Sequence, residues 1–129
     1  MSRSPFVHLS VRSSYSLLES MITPKALCAW AVDHEMPALA VTDRNNLFGA
    51  LEFSETLAGA GVQPIMACCF DVSDGEIRGR SDRLTLYAQN HEGYQRLMAL
   101  SSAAYLEAAD GVPRLDIAHV MEKTEGLIA

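Results

Sequence analysis

The sequence is short of basic charge, and this shortage limits what the chain can bind. Its 129 residues hold 10 lysines and arginines against 16 aspartates and glutamates, which gives a formal net charge of −6. A chain that holds phosphate backbones over its whole surface is basic. The composition therefore predicts little direct DNA binding, although it leaves room for a local basic patch.

Cysteines and long apolar runs are also scarce. The three cysteines are Cys28, Cys68 and Cys69, and none belongs to a Cys-x-x-Cys pair, so a thiolate zinc site is not indicated. An odd number with two adjacent is typical of reduced thiols in a cytosolic protein. No run of about 18 apolar residues and no signal-peptide pattern is found. We therefore expect a cytoplasmic protein with no membrane partner.

What the sequence does contain is an ordinary globular composition with alternating strand and helix patterns. Apolar residues make up 49% and charged residues 20%, which is normal for a domain that buries its own core. Residues 73–82 are rich in glycine and charge, and indicate a hairpin-like excursion. The patterns predict strands at 6–10, 38–42, 64–72, 84–89 and from 126 onward, and helices at 24–36, 47–60, 91–108 and 117–123.

This alternation predicts an α/β fold with parallel pairing and right-handed crossovers. In such folds the functional groups gather at the carboxyl ends of the strands. The polar or reactive residues at those predicted ends are Ser10 and Arg12, Asp43 and Arg44, and Cys69 and Asp71.

Four segments, at residues 6–18, 37–53, 60–68 and 84–97, resemble motifs of a known family. They read FVHLSVRSSYSLL, PALAVTDRNNLFGALEF, AGVQPIMAC and LTLYAQNHEGYQRL. In this order they are similar to the polymerase and histidinol phosphatase (PHP) domain, in the form that opens the alpha subunit of bacterial DNA polymerase III. The resemblance implies a distorted, TIM-like βα barrel of about twice this length. Residues 1–129 are then expected to be the amino-terminal portion of one incomplete domain, with mostly parallel strands.

The resemblance also implies a trinuclear metal site, but the ligand positions differ here. Where active members carry His-x-His, this chain has Ser10 and Arg12, and where they carry Asp-His it has Asp43 and Arg44. Cys69 stands at the position of a glutamate. Because arginine stays protonated, it cannot ligate a metal. The resemblance therefore predicts a degenerate metal site, with neither a metal nor a catalytic residue in this segment.

Two roles are open for the arginines at these positions. Their guanidinium groups can replace the metals as counter-charges, in structural ion pairs with Asp43 and Asp71. Alternatively, Arg12 and Arg44 bind a phosphate or sulfate in bidentate fashion.

His8 also allows two interpretations. Its alternation places it on the face of Ser10, so it could be offered as a surviving metal ligand. It precedes the ligand pair of the family, however, and the interpretation that we favour is a hydrogen-bonded, partly buried histidine.

The function implied by the resemblance is that of a scaffold within a larger enzyme. The parent would be a DNA-directed DNA polymerase, a nucleotidyltransferase whose magnesium site lies outside this chain. Its expected partners are the remainder of the alpha subunit and the proofreading exonuclease subunit, with DNA bound by the parent. Three alternatives remain: an active metal-dependent phosphoesterase, the PHP domain of the error-prone relative of the alpha subunit, and a stand-alone α/β interaction module.

Overall fold

A computed structural model describes residues 6–74 and 81–129 of the chain. They fall into two compact units, which are described separately. The first unit consists of the residues up to Asp43 together with Phe48–Met66, and the second of Arg44–Leu47 together with Ala67–Ala129. The prediction that residues 1–129 belong to one incomplete domain stays a prediction.

The first unit is built from two helices and a parallel strand pair. Thr23 caps the first helix, because its hydroxyl accepts a hydrogen bond of 3.2 Å from the amide of Ala26. The proline that follows the cap fits the first helical turn. The elements are α1 (Pro24–Asp33), β1 (Ala38–Val41), α2 (Ala50–Gly59) and the start of β2 (Gln63–Ser73), whose residues 63–66 pair in parallel with β1.

The core of this unit packs α1 and α2 around β1. The spacing of Leu27, Trp30, Ala31 and His34 predicts the buried face of α1, and this prediction is partly wrong. Trp30 remains 37% exposed and His34 is exposed, whereas Cys28 is buried. The buried side of α1 is rotated toward Cys28, which lies one position from Leu27, so Trp30 falls at its margin. The buried side chains of this core are Leu27, Cys28, Ala31, Leu39, Val41, Phe53, Leu57 and Val62.

The predicted strand at residues 6–10 is wrong, because this segment does not form a regular ladder. The amides of Ala40 and Thr42 donate to the carbonyls of His8 (3.0 Å) and Val11 (2.7 Å). The two acceptors are three residues apart and the two donors only two. A parallel ladder needs equal spacing on both strands, so the register slips by one residue and the pairing stops.

The second unit is a mixed sheet with two helices. β3 pairs antiparallel with β2 and with β5, and β4 pairs in parallel with β2. Asn90 and Asp116 cap the two helices, accepting hydrogen bonds from the amides of Gly93 and Ala118 (both 2.9 Å). The elements are residues 67–73 of β2, β3 (Asp82–Ala88), α3 (His91–Leu106), β4 (Leu115–Asp116), α4 (Ile117–Met121) and β5 (Leu127–Ile128).

The structure confirms the predicted strands and helices of this unit, with shifted ends. β2 and β3 run antiparallel with Val72 opposite Asp82, as a hairpin requires, while residues 75–80 of the predicted excursion lie outside the described residues. The spacing of Tyr94, Leu97, Met98, Ser101 and Tyr105 predicts the inward side of α3, but of these only Leu97 belongs to the buried side that the structure shows. That side consists of Gly93, Leu97, Leu100 and Ala104.

This helix face covers the inner side of β2 and β3. The buried residues of the second core are Cys68, Phe70, Val72, Leu86, Leu97, Leu100, Ala104, Leu115 and Val120. Within the described part of the chain, no helix is long and apolar enough to cross a membrane.

Candidate functional site

Asp43 is the buried carboxylate of the first unit, and it is held by neutral donors. The residue is 3% exposed and lies two positions beyond the end of β1. Its Oδ1 accepts hydrogen bonds from the amide of Ser13 (2.7 Å) and from the hydroxyl of Ser16 (2.7 Å). Its Oδ2 accepts from the hydroxyl of Ser13 at 2.6 Å. A carboxylate can remain buried when such donors replace its water shell.

The loop that carries these serines also determines where Arg12 lies. The guanidinium of Arg12 is 29% exposed and forms an ion pair with Glu19. The hydroxyl of Ser20 donates to the carbonyl of Arg12 at 2.8 Å. Glu19 is therefore a partner of Arg12 that the sequence analysis did not single out. Ser10 is exposed.

Tyr15 adds a second acidic contact in the same unit. Its hydroxyl donates to Oε2 of Glu52 at 2.7 Å. This hydrogen bond, with the negative charge of Glu52, raises the pKa of Tyr15, and the charge of Asp43 acts in the same direction. The ring packs so closely over Gly49 that a Cβ there would lie 2.5 Å from Cδ2. Gly49 is therefore required for this packing.

Asp71 is the buried carboxylate of the second unit, and it is held by charge. The residue is 5% exposed, and its Oδ2 lies 2.9 Å from Nε and 2.7 Å from Nη2 of Arg44. Nε of Arg83 lies 3.8 Å from Oδ1. The Arg44 side chain is 37% exposed, so the pair reaches from the interior to solvent.

Asn45 fixes this ion pair in place. Its side-chain amide donates to Oδ2 of Asp71 at 3.0 Å and to the carbonyl of Pro113 at 3.3 Å, and its oxygen accepts from the amide of Asp71 at 2.8 Å. Its backbone amide donates to the carbonyl of Cys69 at 2.9 Å. The residue has a φ of 54°, a left-handed conformation that asparagine tolerates better than most residues.

Cys69 and Asp71 do not lie at a strand end, contrary to the prediction. Both are inside β2, which continues to Ser73 because its far half pairs with β3. Cys69 is 5% exposed and lies opposite Thr85. Its thiol is thus part of the packed sheet of the second unit.

His8 lies in a row of rings. It is half-buried, and its ring centroid lies 4.6 Å from that of Phe6 and 5.0 Å from that of Trp30. His34 continues the row at 4.6 Å from Trp30. His8 therefore has aromatic neighbours, which is the environment of a packed histidine.

The side chains present do not fit the trinuclear metal site that the resemblance implies. In the part of the chain that the structure describes, no group of three histidine, cysteine, aspartate or glutamate side chains is placed to hold a metal ion. The oxygens of Asp43 accept from serine donors, and Oδ2 of Asp71 accepts from a guanidinium. A cation in place of the guanidinium would first have to displace Arg44.

Sequence reasoning named Arg44 as a possible counter-charge, but it missed the serines and the asparagine that hold the two carboxylates. Ser13 and Ser16 are three positions apart, a spacing that brings two hydroxyls to one side of a turn. Asn45 lies in the loop after β1 and is a residue type that tolerates the left-handed conformation. Both signals were present in the sequence, but neither one says which acid is bound.

Comparison with known proteins places the chain in a family context. The family model of the PHP domain matches residues 8–129. The DNA polymerase III subunit alpha of Caulobacter vibrioides is 46% identical over 129 residues, covering 95% of this chain and 11% of that protein. The subunit of the same name from Treponema pallidum is 39% identical, over 99% of this chain and 12% of that protein. The chain thus spans only about a ninth of the length of these relatives.

A solved structure shares the fold. An amidohydrolase from Chromobacterium violaceum superposes with a TM-score of 0.57 at 19% identity, covering 82% of this chain and 40% of that one. At this identity the likeness shows the fold alone. The predicted α/β class is confirmed, and the match to less than half of a larger fold agrees with part of a barrel.

Proposed function

The chain belongs to the PHP domain family, and we propose that it is the amino-terminal segment of the alpha subunit of a bacterial DNA polymerase III. The observation that carries this proposal is the 46% identity to such a subunit along nearly the whole chain. The further subunits of this name match at 34–39% identity over at least 95% of the chain.

On this proposal, the parent protein acts in DNA replication in the cytoplasm. It adds deoxynucleotides to a primer under the direction of a template, with magnesium bound by acidic residues elsewhere in the subunit. The partners of this segment are then the remainder of the alpha subunit and the proofreading exonuclease subunit.

We further propose that the segment is a scaffold without hydrolytic activity of its own. The ion pair of Arg44 with Asp71 supports this role, since it puts a fixed positive charge where the resemblance implies a metal. The three neutral donors on Asp43 support it as well, because they already occupy both of its oxygens. These contacts bind loop residues to the two carboxylates.

The first experiment is elemental analysis of the purified protein, combined with a phosphodiester hydrolysis assay in added zinc or manganese. We expect no stoichiometric metal and no hydrolysis. Two or more metals bound per chain, with hydrolysis above the blank, would overturn the scaffold role.

A matched variant makes this test sharper. Ser10→His, Arg12→His, Arg44→His and Cys69→Glu together restore the ligand types of active members at the positions that the resemblance assigns. If the site is degenerate at these positions, the variant should gain metal that the natural chain lacks. Circular dichroism of both proteins controls for folding.

A test in the full-length polypeptide separates a scaffold from a catalytic role. Asn45→Ala should lower its thermal stability and its retention of the exonuclease subunit on heating. The rate of primer extension at a permissive temperature should stay unchanged. A lower extension rate in a fully folded variant would contradict the scaffold role, and a polypeptide that extends no primer at all would contradict the proposed parent.

A further inference from the structure

The loop at residues 13–22 of the first unit presents apolar side chains to the solvent. Its sequence, SSYSLLESMI, contains four serines and only one charged residue. Leu17, Leu18 and Met21 are each at least 80% exposed. Single exposed apolar residues are common on protein surfaces, but several of them together in one short loop are typical of an interaction site.

The polar side chains of this loop make contacts within the unit instead. Ser13 and Ser16 are buried, and their hydroxyls donate to Asp43 at 2.6 and 2.7 Å. Glu19, the one charged residue of the loop, forms an ion pair with Arg12. The loop thus reverses the usual arrangement of a surface segment, in which polar groups face water and apolar groups are buried.

Backbone hydrogen bonds fix the shape of the loop. The amide of Ser14 donates to the carbonyl of Ile22 at 2.8 Å and so joins the two ends. The amides of Glu19 and Ser20 donate to the carbonyl of Ser16 at 3.0 and 3.2 Å. A segment that is already ordered loses little conformational entropy when it docks against another surface.

Leu18 has a backbone conformation that leucine rarely adopts. Its φ is 65°, in the left-handed region that favours glycine and asparagine. Its side chain is fully exposed, so burial within the described residues does not offset this cost. A contact of the leucine side chain with a further surface would offset it.

The lack of charge on the outer side of the loop indicates a permanent contact. Permanent interfaces are more apolar than those of partners that associate and dissociate. The chain covers only 11% of the length of the Caulobacter subunit, so on the proposed function most of the parent polypeptide lies outside residues 1–129. A surface of the same polypeptide is always present at high effective concentration.

We propose that the apolar side of this loop is the surface on which another part of the parent polypeptide, outside residues 1–129, packs permanently. Leu17, Leu18 and Met21 pack against apolar side chains of that part. The serine contacts to Asp43 hold the loop in the docking conformation, which gives this carboxylate a positioning role. The inference rests on the part of the proposed function that makes the chain a segment of a longer polypeptide.

Cysteine labelling of the full-length polypeptide, purified without the exonuclease subunit, tests this contact. Leu17→Cys and Met21→Cys are made separately, and their modification by iodoacetamide is followed by mass spectrometry of the peptide that carries the new cysteine. We expect modification to be at least about tenfold slower in the folded protein than in urea, because a packed interface excludes the reagent.

Ala58→Cys is the matched control, since Ala58 is exposed near the far end of α2. Its modification should be similar in the folded protein and in urea. Ready modification at 17 and 21 in the folded protein would overturn the proposal, and so would equal protection at 58. Protection that appears only when the exonuclease subunit is added, or that is lost on dilution, would assign the surface to that subunit or to a second copy and would also overturn it.

Leu18→Asn gives a second test that depends on the sign of the effect. In an uncovered loop, asparagine relieves the left-handed conformation, and the midpoint of thermal unfolding stays constant or rises. If the side chain is covered, the lost apolar contact should lower the midpoint of the full-length polypeptide by several degrees. An unchanged or higher midpoint would contradict the proposed contact.

Primer extension by the same preparations separates this inference from the proposed function. A polypeptide that extends no primer but protects the cysteines would contradict the polymerase parent and support the docking surface. A polypeptide that extends primers and leaves both cysteines unprotected would contradict the docking surface alone.

Discussion

The two units each bury one aspartate, but they stabilise it by different means. In the first unit Asp43 accepts from one backbone amide and two serine hydroxyls, all neutral. In the second unit Asp71 accepts from a guanidinium and from the amide side chain of Asn45. Both residues are at most 5% exposed. Neutral donors therefore help to keep the carboxylate of Asp43 buried, and an ion pair helps to keep that of Asp71 buried.

This difference determines how each site responds to substitution and to salt. Neutral donors contribute short-range hydrogen bonds, which salt hardly affects. A partly exposed ion pair depends on long-range attraction, which dissolved ions screen.

The largest expected effect is that of Asn45→Ala in the second unit. It removes the hydrogen bonds that fix Asp71 and leaves a buried backbone amide unpaired, and it places alanine at a positive φ. We expect a loss of about 3–4 kcal/mol in the free energy of unfolding, measured by urea titration. Asn45→Gly should recover about 1 kcal/mol, because glycine accepts this backbone conformation. Equal losses for the two variants would show that the φ angle contributes little.

Arg44→Met should come next. After this substitution, Arg83 remains as a cationic partner of the buried Asp71 carboxylate, with its Nε 3.8 Å from Oδ1. Removing one partner of a buried pair costs several kcal/mol, and the partial exposure of Arg44 reduces this to about 2–3 kcal/mol. Adding Asp71→Leu should restore part of the loss, because no buried charge is then unpaired. If the double variant is the less stable one, the ionic description of the second unit is incorrect.

Ser16→Ala in the first unit should have a smaller effect that does not depend on salt. It removes one of the donors to Asp43 and should cost about 1–2 kcal/mol. Raising the salt concentration should shrink the effect of Arg44→Met and leave that of Ser16→Ala unchanged. Ser54→Ala is the control in the same unit, because its hydroxyl bonds at an exposed position on α2. If the loss of unfolding free energy caused by Ser16→Ala also changed with salt concentration, the proposed difference between the two aspartate sites would be wrong.

The smallest effect concerns tyrosine ionisation, followed by tyrosinate absorbance. The pKa of Tyr15 is raised by its hydrogen bond to Glu52, whereas burial raises the pKa of Tyr87 and of Tyr105. A raised pKa means that the folded state holds the proton more tightly. Its stabilising contribution is therefore full below the ordinary tyrosine pKa of 10.0 and is lost as the pH rises through the folded value.

Glu52→Gln should therefore lower the pKa of Tyr15 alone. The same substitution should make the unfolding free energy less dependent on pH above 10.0. Tyr105 lies in the second unit, and burial rather than Glu52 raises its pKa. A change in the titration of Tyr105 in this variant would contradict that assignment.

The sequence predicted much of the chain from local signals. Thr23 with the proline after it, and Asp116 before the last helix, identify helix starts because a cap is a contact within one turn. The short apolar run at Ala38–Val41 indicates a strand buried on both faces. The α/β class and the family resemblance rest on signals of this kind.

Other features depended on contacts that local patterns do not encode. Phe6–Ser10 has strong strand formers, but the unequal spacing of its hydrogen bonds to β1 prevents a ladder. β4, a strand of two residues that the sequence did not predict, forms only because it pairs with the end of β2. The sequence predicted the wrong buried side for α3, because the helical spacing of its apolar residues is compatible with two adjacent faces. Packing against the sheet determines which of the two faces is buried.

The amino-acid sequence by itself determined most of the elements and the acidic balance, since both follow from residue identity and short-range spacing. The tertiary structure alone decided which donor meets which carboxylate. Glu19 rather than a strand-end acid faces Arg12, serines enclose Asp43, and Asn45 with Arg44 holds Asp71. The last of these pairings joins residues 26 positions apart. Such contacts arise only when the packed chain brings the two segments together, because no local energy term links them beforehand.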